Sequence, residues 1–333
     1  MKQTQNVVNL RAALLGRVAV LGLGLAFGGL PVASLAQTPP AAAAPAAAAS
    51  QQNFASAEDA VNALVKALQA NDQKSLLEIF GPGSEKLVSS GDAVADAAAR
   101  QKFLELYGES HVLTPQPDGS VTLVVGNDSW PMPIPLVQAA GRWQFDATTG
   151  AQTIVDRRIG RNELLTIQAL LSAVAAEQDY FARMKQANGT GVYAQRLFST
   201  PGQQDGLYWD AAAGAPDSPM GPFIEQAQDQ GYPGATQKGV QVPYHGYYFH
   251  LLKSQGPDAP GGAVNYIQNG KMTGGFAFMA WPVVYGSSGI MTFVVDQDGV
   301  VFQKDLGPET LKTVATIQSF DPDLSWARID VSN

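Results

Sequence analysis

The chain contains 333 residues, 45% of them hydrophobic and only 15% charged, and its formal net charge is −8. This length suits about two domains, and this hydrophobic content is enough for ordinary cores. The absence of cysteine excludes disulfides, thiol catalysis and thiolate metal sites, and the absence of clustered Lys and Arg argues against a nucleic-acid partner.

The first 36 residues have the order of features that is typical of a secretory signal peptide. Three basic residues and no acidic one precede an apolar run over residues 18–27, and small residues occupy the positions that signal peptidase inspects. The run is about half the roughly 20 residues of a membrane-spanning helix, which disfavours a permanent anchor. The sequence therefore predicts cleavage between Ala36 and Gln37.

Cleavage at this point would determine where the mature protein works. Loss of residues 1–36 removes three of the 21 basic residues and none of the 29 acidic ones, so the net charge becomes −11. We expect a periplasmic or secreted protein that is not an integral membrane protein after cleavage. Residues 37–53 are rich in Ala and Pro and lack large apolar side chains, so they predict a disordered linker.

Residues 54–150 predict an N-terminal α+β domain. Three helices come first: one capped by Ser56, a second ending at Gly81, and a third over Asp92–Tyr107 with Gly108 as its C-terminal cap. Three extended segments follow: Val121–Val125, Trp130–Leu136 and Gly141–Asp146. Helices followed by a curved antiparallel sheet have the order of NTF2-like folds.

Residues 157–333 predict a domain in which a long helix packs on an antiparallel meander. The helix is expected over Arg157–Lys185, and a loop-rich stretch from Phe198 to Gly239 follows it. A narrow apolar stripe along the helix is predicted from Leu164, Ile167, Leu171, Val174, Gln178 and Phe181. Strands are expected over Tyr244–Leu252, Gly274–Trp281, Ile290–Asp296 and Val300–Lys304. This layout is that of pilin-like globular domains, and the chain as a whole is predicted to be α+β.

Two histidines, His245 and His250, are the weak catalytic candidates. On a strand, positions five apart point to opposite faces, so the pair is not expected to bind one metal ion. We therefore expect a structural or surface role for both, and no metal site or cofactor. The alternative is a general base formed by one of them with a carboxylate.

Three other patterns favour ordinary structural roles. The sequence Asp-Gln-Asp-Gly at 296–299 predicts a hairpin turn, because the ligands that complete a calcium loop are missing. The sequence Gly-Ser-Ser-Gly at 286–289 predicts a turn between strands, because it departs from the pattern of a serine nucleophile. Glu177 and Asp179 are expected on the solvated surface.

Aromatic residues are concentrated in the loop-and-strand region of the second domain. Most are expected in the core. Tyr208 and Trp209 lie in a loop rich in Gly and Pro, and together with Tyr247 they are our candidates for a surface that binds a glycan or a protein.

Several spaced motifs are similar to those of the bacterial exported family catalogued as domain of unknown function 2950. The motifs cover residues 158–164, 205–209, 218–222, 244–248, 270–276 and 285–293. The resemblance extends from about Phe54 to the end of the chain. It implies an envelope protein of unassigned activity and supplies no catalytic residues.

The sequence thus favours a non-catalytic interaction or binding protein of the periplasm, with an envelope protein or a glycan as partner. Two alternatives stay open. One is a hydrolase of cell-wall glycan or peptide that uses a histidine and a carboxylate. The other is a carrier that holds a small ligand in its N-terminal domain.

Overall fold

The computed structural model describes residues 51–211, 216–233 and 242–330. The predicted signal peptide, the cleavage site at Ala36 and Gln37, and most of the predicted linker lie outside these residues. No helix within the described ranges combines the length and the apolar character needed to cross a membrane.

Helices open the described chain, each beginning at a polar cap. The bounds are α1 (Ala57–Gln69), α2 (Gln73–Phe80), α3 (Glu85–Val88) and α4 (Ala93–Glu109). The side chains of Ser56, Asp72 and Asp92 accept hydrogen bonds from the first turns of α1, α2 and α4, which satisfies backbone donors that a helix start leaves free. The predicted cap at Gly108 is wrong, because α4 continues through Gly108 and ends next to Ser110.

An antiparallel sheet packs against these helices. Its strands are β1 (His111–Pro115), β2 (Val121–Val125), β3 (Trp130–Pro131), β4 (Leu136–Ala139) and β5 (Arg142–Phe145), in the order β1-β2-β4-β5 with β3 on β2. Strand β1 was not predicted. The segment with three prolines pairs at Trp130 and Pro131 and again at Leu136, where β4 begins. Residues 132–135 between them form no strand, because proline cannot donate to a ladder. Apolar side chains from helices and sheet form one core, which includes Leu64, Ile79, Leu123, Leu136 and Phe145.

The long helix α5 (Ala151–Asn188) has 38 residues and exceeds the predicted helix at both ends. Its buried face differs from the predicted stripe, since Leu164 is 64% exposed while Ile159, Leu170 and Tyr180 are buried. Polar residues Asn162, Thr166 and Glu177 also lie on the buried face. Counting apolar residues alone therefore placed the stripe incorrectly at its N-terminal end.

The second half contains α6 (Gly221–Asp229), inside the stretch expected to be loop, and a second antiparallel sheet. The strands of that sheet are β6 (Tyr247–Leu252), β11 (Ala277–Pro282), β12 (Met291–Asp296), β13 (Val301–Asp305) and β14 (Ala327–Arg328), in the order β14-β13-β12-β11-β6. Short pairs join β7 (Ser254–Gln255) to β8 (Val264–Asn265) and β9 (Ile267–Gln268) to β10 (Lys271–Met272). Helix α7 (Thr310–Val314) comes between β13 and β14.

The two faces of this sheet have different partners. Tyr247 points toward α5, where its hydroxyl reaches Glu163, and its neighbours at alternate positions share that face. Tyr248 and Trp281 lie on the outer face, next to α7. The second core combines the inner face with α5 and includes Leu170, Tyr247, Phe278 and Phe293.

The α+β class predicted from the sequence is confirmed. The described residues belong to one compact unit that contains both cores. The NTF2-like and pilin-like resemblances stay predictions.

Candidate functional site

A buried polar network surrounds the start of α4. One carboxylate oxygen of Asp92 accepts hydrogen bonds from the amides of Val94 and Ala95, at 3.1 and 3.0 Å. The other oxygen accepts from the Tyr232 hydroxyl at 2.9 Å and from the Gly246 amide at 2.8 Å. These four donors occupy both oxygens of a side chain that is almost completely buried.

His245 lies beside this carboxylate, in a turn and not in the predicted strand. Its φ of +48° is in the left-handed region, which is uncommon for a residue with a side chain, and its amide donates to the Tyr232 hydroxyl at 3.0 Å. The imidazole packs against the rings of Tyr244 and Tyr232, with centroids 4.2 and 5.7 Å away. Burial lowers the pKa of His245, while the charge of Asp92 opposes this shift.

The two serines of the Gly-Ser-Ser-Gly turn are fully buried. The Ser287 hydroxyl contacts the carbonyl oxygens of Lys86 and Ser89 at 3.3 and 3.1 Å. The guanidinium of Arg158 donates to the carbonyls of Lys86 and Leu87, both at 2.7 Å. This turn therefore connects the second sheet to α3 and α5, and its serines are engaged in structure.

Helix α5 holds the same turn through Glu163. One oxygen of this carboxylate accepts from the amides of Ile290 and Met291, each at 3.0 Å, and from the Tyr247 hydroxyl at 3.4 Å. Asn162 adds a bond from its side-chain amide to the carbonyl of Ser288 at 2.9 Å. Burial, with the charge of Glu163, raises the pKa of Tyr247.

The aromatic residues proposed as a binding surface are not found together on the outside. Tyr247 and Tyr208 are buried, so both belong to the core and the surface role is a wrong interpretation for them. The Tyr208 hydroxyl donates to Asp210 at 2.7 Å, and burial raises the pKa of Tyr208 to about 12. Trp209 is half-buried against the second core, and its indole N–H has no hydrogen-bond partner among the residues that the structure describes.

An open groove of about 510 Å³ lies on the outer face of the second sheet, and we call it the outer groove. Two cross-strand pairs form its floor, Tyr248 with Trp281 and His250 with Met279. The C-terminal segment that contains α7 forms its wall, with the side chains of Leu311, Val314, Ala315, Ile317 and Gln318. The volume is within the range of about 300–1,000 Å³ that is usual for ligand sites.

The outer groove is uncharged. None of its nine lining residues is Asp, Glu, Lys or Arg. Although His250 is accessible to solvent, the groove desolvates its ring in part and lowers its pKa, and the nearby charge of Lys253 lowers it further. Among the described residues, no carboxylate forms a hydrogen bond with His250. The groove can therefore contact an uncharged ligand, and it lacks an acid–base pair.

Three of the motifs that carry the family resemblance meet where α5 contacts the Gly-Ser-Ser-Gly turn and the start of β6, although they are distant in the sequence. They supply Asn162 and Glu163, Gly246 and Tyr247, and the turn that contains Ser288. A family model matches residues 51–329, which is most of the chain. The chain belongs to the family described as "Protein of unknown function (DUF2950)". Neither the curated proteins nor the solved structures yield a match.

Sequence reasoning was wrong about Glu177. It was expected on the surface, but its side chain is completely buried on α5. One oxygen accepts from the Ala194 amide at 2.8 Å, and the other has no partner within the described parts of the chain. Burial raises the pKa of Glu177 to about 8, although the bond from Ala194 opposes this effect. Its spacing of three residues from both Val174 and Tyr180 was the signal that could have placed it inside.

No group of three or more His, Asp or Glu side chains in the described parts of the chain is arranged to hold a metal ion.

Proposed function

We propose that this member of the family is an exported, non-catalytic binding module of the cell envelope that acts through the outer groove. The observation that supports this proposal is the groove itself, which is open, lined mainly by aromatic and aliphatic side chains, and free of charged residues. Binding sites are typically concave and mostly apolar, with a few polar groups for orientation. The predicted signal peptide supports the envelope location.

The alternative of a hydrolase with a His–carboxylate pair has less support. His245 is close to Asp92, but the oxygens of Asp92 already accept four hydrogen bonds. A general base needs an orienting partner and access to the proton that it removes. His250 has access but forms no bond with a described carboxylate. The carrier alternative stays a prediction.

The proposal is tested by two substitutions in the outer groove and one control substitution outside it. Leu311 on the groove wall is 56% exposed and Leu324, outside the groove, is completely exposed, so neither change to alanine should unfold the protein. The mature protein, Leu311→Ala, Trp281→Ala and Leu324→Ala are each immobilised and incubated with envelope extract. We expect at least tenfold weaker retention of the bound species by the first two variants and unchanged retention by Leu324→Ala. Equal retention by all forms would contradict the proposal.

A further inference from the structure

We infer that the outer groove receives a bulky, uncharged apolar side chain presented by a segment of a partner protein. This inference rests on the proposed function and names the class of ligand. It follows from three properties of the lining: the number of its polar groups, its charge and its dimensions.

The polar groups of the groove favour an apolar side chain over a sugar chain. Tyr248, His250, Trp281 and Gln318 are the lining residues with side-chain donors or acceptors, and the other five are aliphatic or methionine. Each pyranose ring carries several hydroxyl groups, and every hydroxyl that loses water without a new hydrogen bond costs about 1–3 kcal/mol. An aliphatic or aromatic side chain has no such groups, so contact with Leu311, Val314 and Ile317 removes only apolar surface from water.

The lack of charged residues in the groove disfavours an acidic or basic side chain as the group that it receives. A charged side chain would leave water without an opposite charge among the nine lining residues to compensate it. His250 does not change this at neutral pH, because desolvation and Lys253 both favour the neutral imidazole. Its nitrogen atoms are then one donor and one acceptor, which suit the peptide groups on either side of an anchor residue.

The dimensions suit one anchor rather than a whole helix. Along each strand the floor advances by two residues, which corresponds to roughly 7 Å. The rings of Tyr248 and Trp281 have centroids 5.9 Å apart and an interplanar angle of 49°, so they form an angled surface and not a flat platform. Tyr and Trp are also residue types that are enriched where a few side chains dominate the affinity of a protein interface.

The test is a selection from random phage-displayed heptapeptides on the immobilised mature protein, with Trp281→Ala used for counter-selection. An array of neutral oligosaccharides is probed with the same proteins in parallel. We expect enriched peptides that share one Leu, Met or Phe with uncharged neighbours. Synthetic versions should bind Leu311→Ala and Trp281→Ala at least tenfold more weakly than the parent, and Leu324→Ala equally well. Thermal unfolding of each variant confirms that it is folded.

The other outcomes separate this inference from the proposed function. A neutral sugar that binds the parent protein but not Trp281→Ala would overturn the ligand class and leave the groove as the binding site. A peptide consensus with an acidic or basic anchor would do the same. The absence of any peptide or sugar whose binding depends on Trp281 and Leu311 would overturn both the inference and the proposed function.

Discussion

The carboxyl group of Glu177 lies inside the second core, where it is shielded from water. Burial raises the pKa values of Tyr180 on the same helix and Tyr193 on the following segment, and the charge of Glu177 raises them further. The protonated form is therefore the form that the fold favours, because desolvation penalises the charge.

This arrangement predicts a loss of stability as the pH rises. The pKa of Glu177 is about 8 in the folded chain and about 4.5 when the chain is unfolded. Between these values the folded state holds a proton that the unfolded state has released, so the free energy of unfolding falls by about 1.4 kcal/mol per pH unit. Below pH 4.5 both states are protonated and the contribution is fully present.

The measurement is urea unfolding from pH 5 to 8 for the parent, Glu177→Gln and Asp179→Asn. Glutamine cannot ionise, so Glu177→Gln should gain stability relative to the parent as the pH rises. Asp179 is an accessible residue paired with Arg183 on the same helix, and its substitution should leave the pH profile parallel to that of the parent. Parallel profiles for all three proteins would show that Glu177 ionises normally.

Asp92 and Asp72 allow a matched comparison of two helix caps. Asn caps a helix about as well as Asp. Asp72→Asn, at an exposed cap, should therefore change stability little. Asp92→Asn places an amide donor opposite the Tyr232 hydroxyl or the Gly246 amide, and we expect a loss of about 2 kcal/mol. Chemical denaturation measures both, and equal effects would mean that the second oxygen of Asp92 contributes nothing.

Helix α5 has a buried face that includes polar side chains, and this explains both the success and the error of the sequence prediction. The helix itself was predictable because apolar residues recur at helical spacing over many turns. Its facing was partly wrong because Asn162, Thr166 and Glu177 are inside while Leu164 is outside. The burial of a polar group depends on partners distant in the sequence, such as Ser288, and periodicity carries no information about them.

The corrected facing of α5 predicts different costs for two identical substitutions. Leu170 is fully buried, so Leu170→Ala should reduce the free energy of unfolding by about 2–5 kcal/mol through lost contacts and a cavity. Leu164→Ala removes a mostly exposed side chain and should cost less than about 0.5 kcal/mol. Thermal or urea unfolding distinguishes the two variants. A larger loss of stability for Leu164→Ala than for Leu170→Ala would support the apolar stripe predicted from the sequence.

The strands of the second sheet show how much local sequence determines. Four strands were predicted, and each overlaps an observed strand with its ends shifted by at most three residues. Helix α6 was missed because its neighbourhood is rich in Gly and Pro, although Pro222 in its first turn is a helix-start signal. The outer groove could not be predicted, since Tyr248, Trp281 and Leu311 meet only when β6, β11 and α7 are assembled.

At the scale of the whole molecule, export is the prediction that sets the context for binding. Expression of the full chain in a bacterial host should yield a periplasmic protein whose first residue is Gln37, as read by N-terminal sequencing and intact mass. Ala36→Phe places a large side chain where signal peptidase requires a small one, so the leader should be retained. Ala41→Phe, a few residues beyond the cleavage point, serves as the control and should be processed normally.

The hydrogen bond from the Gly246 amide to Asp92 spans 154 positions of the sequence. Helices α1 to α4 and the first sheet lie entirely before residue 246, so a fragment that ends before this residue lacks one of the four donors to Asp92. In such a fragment, water would have to replace the Gly246 amide at the second oxygen of Asp92. Among the described residues, this bond closes the longest loop of any hydrogen bond to the Asp92 side chain.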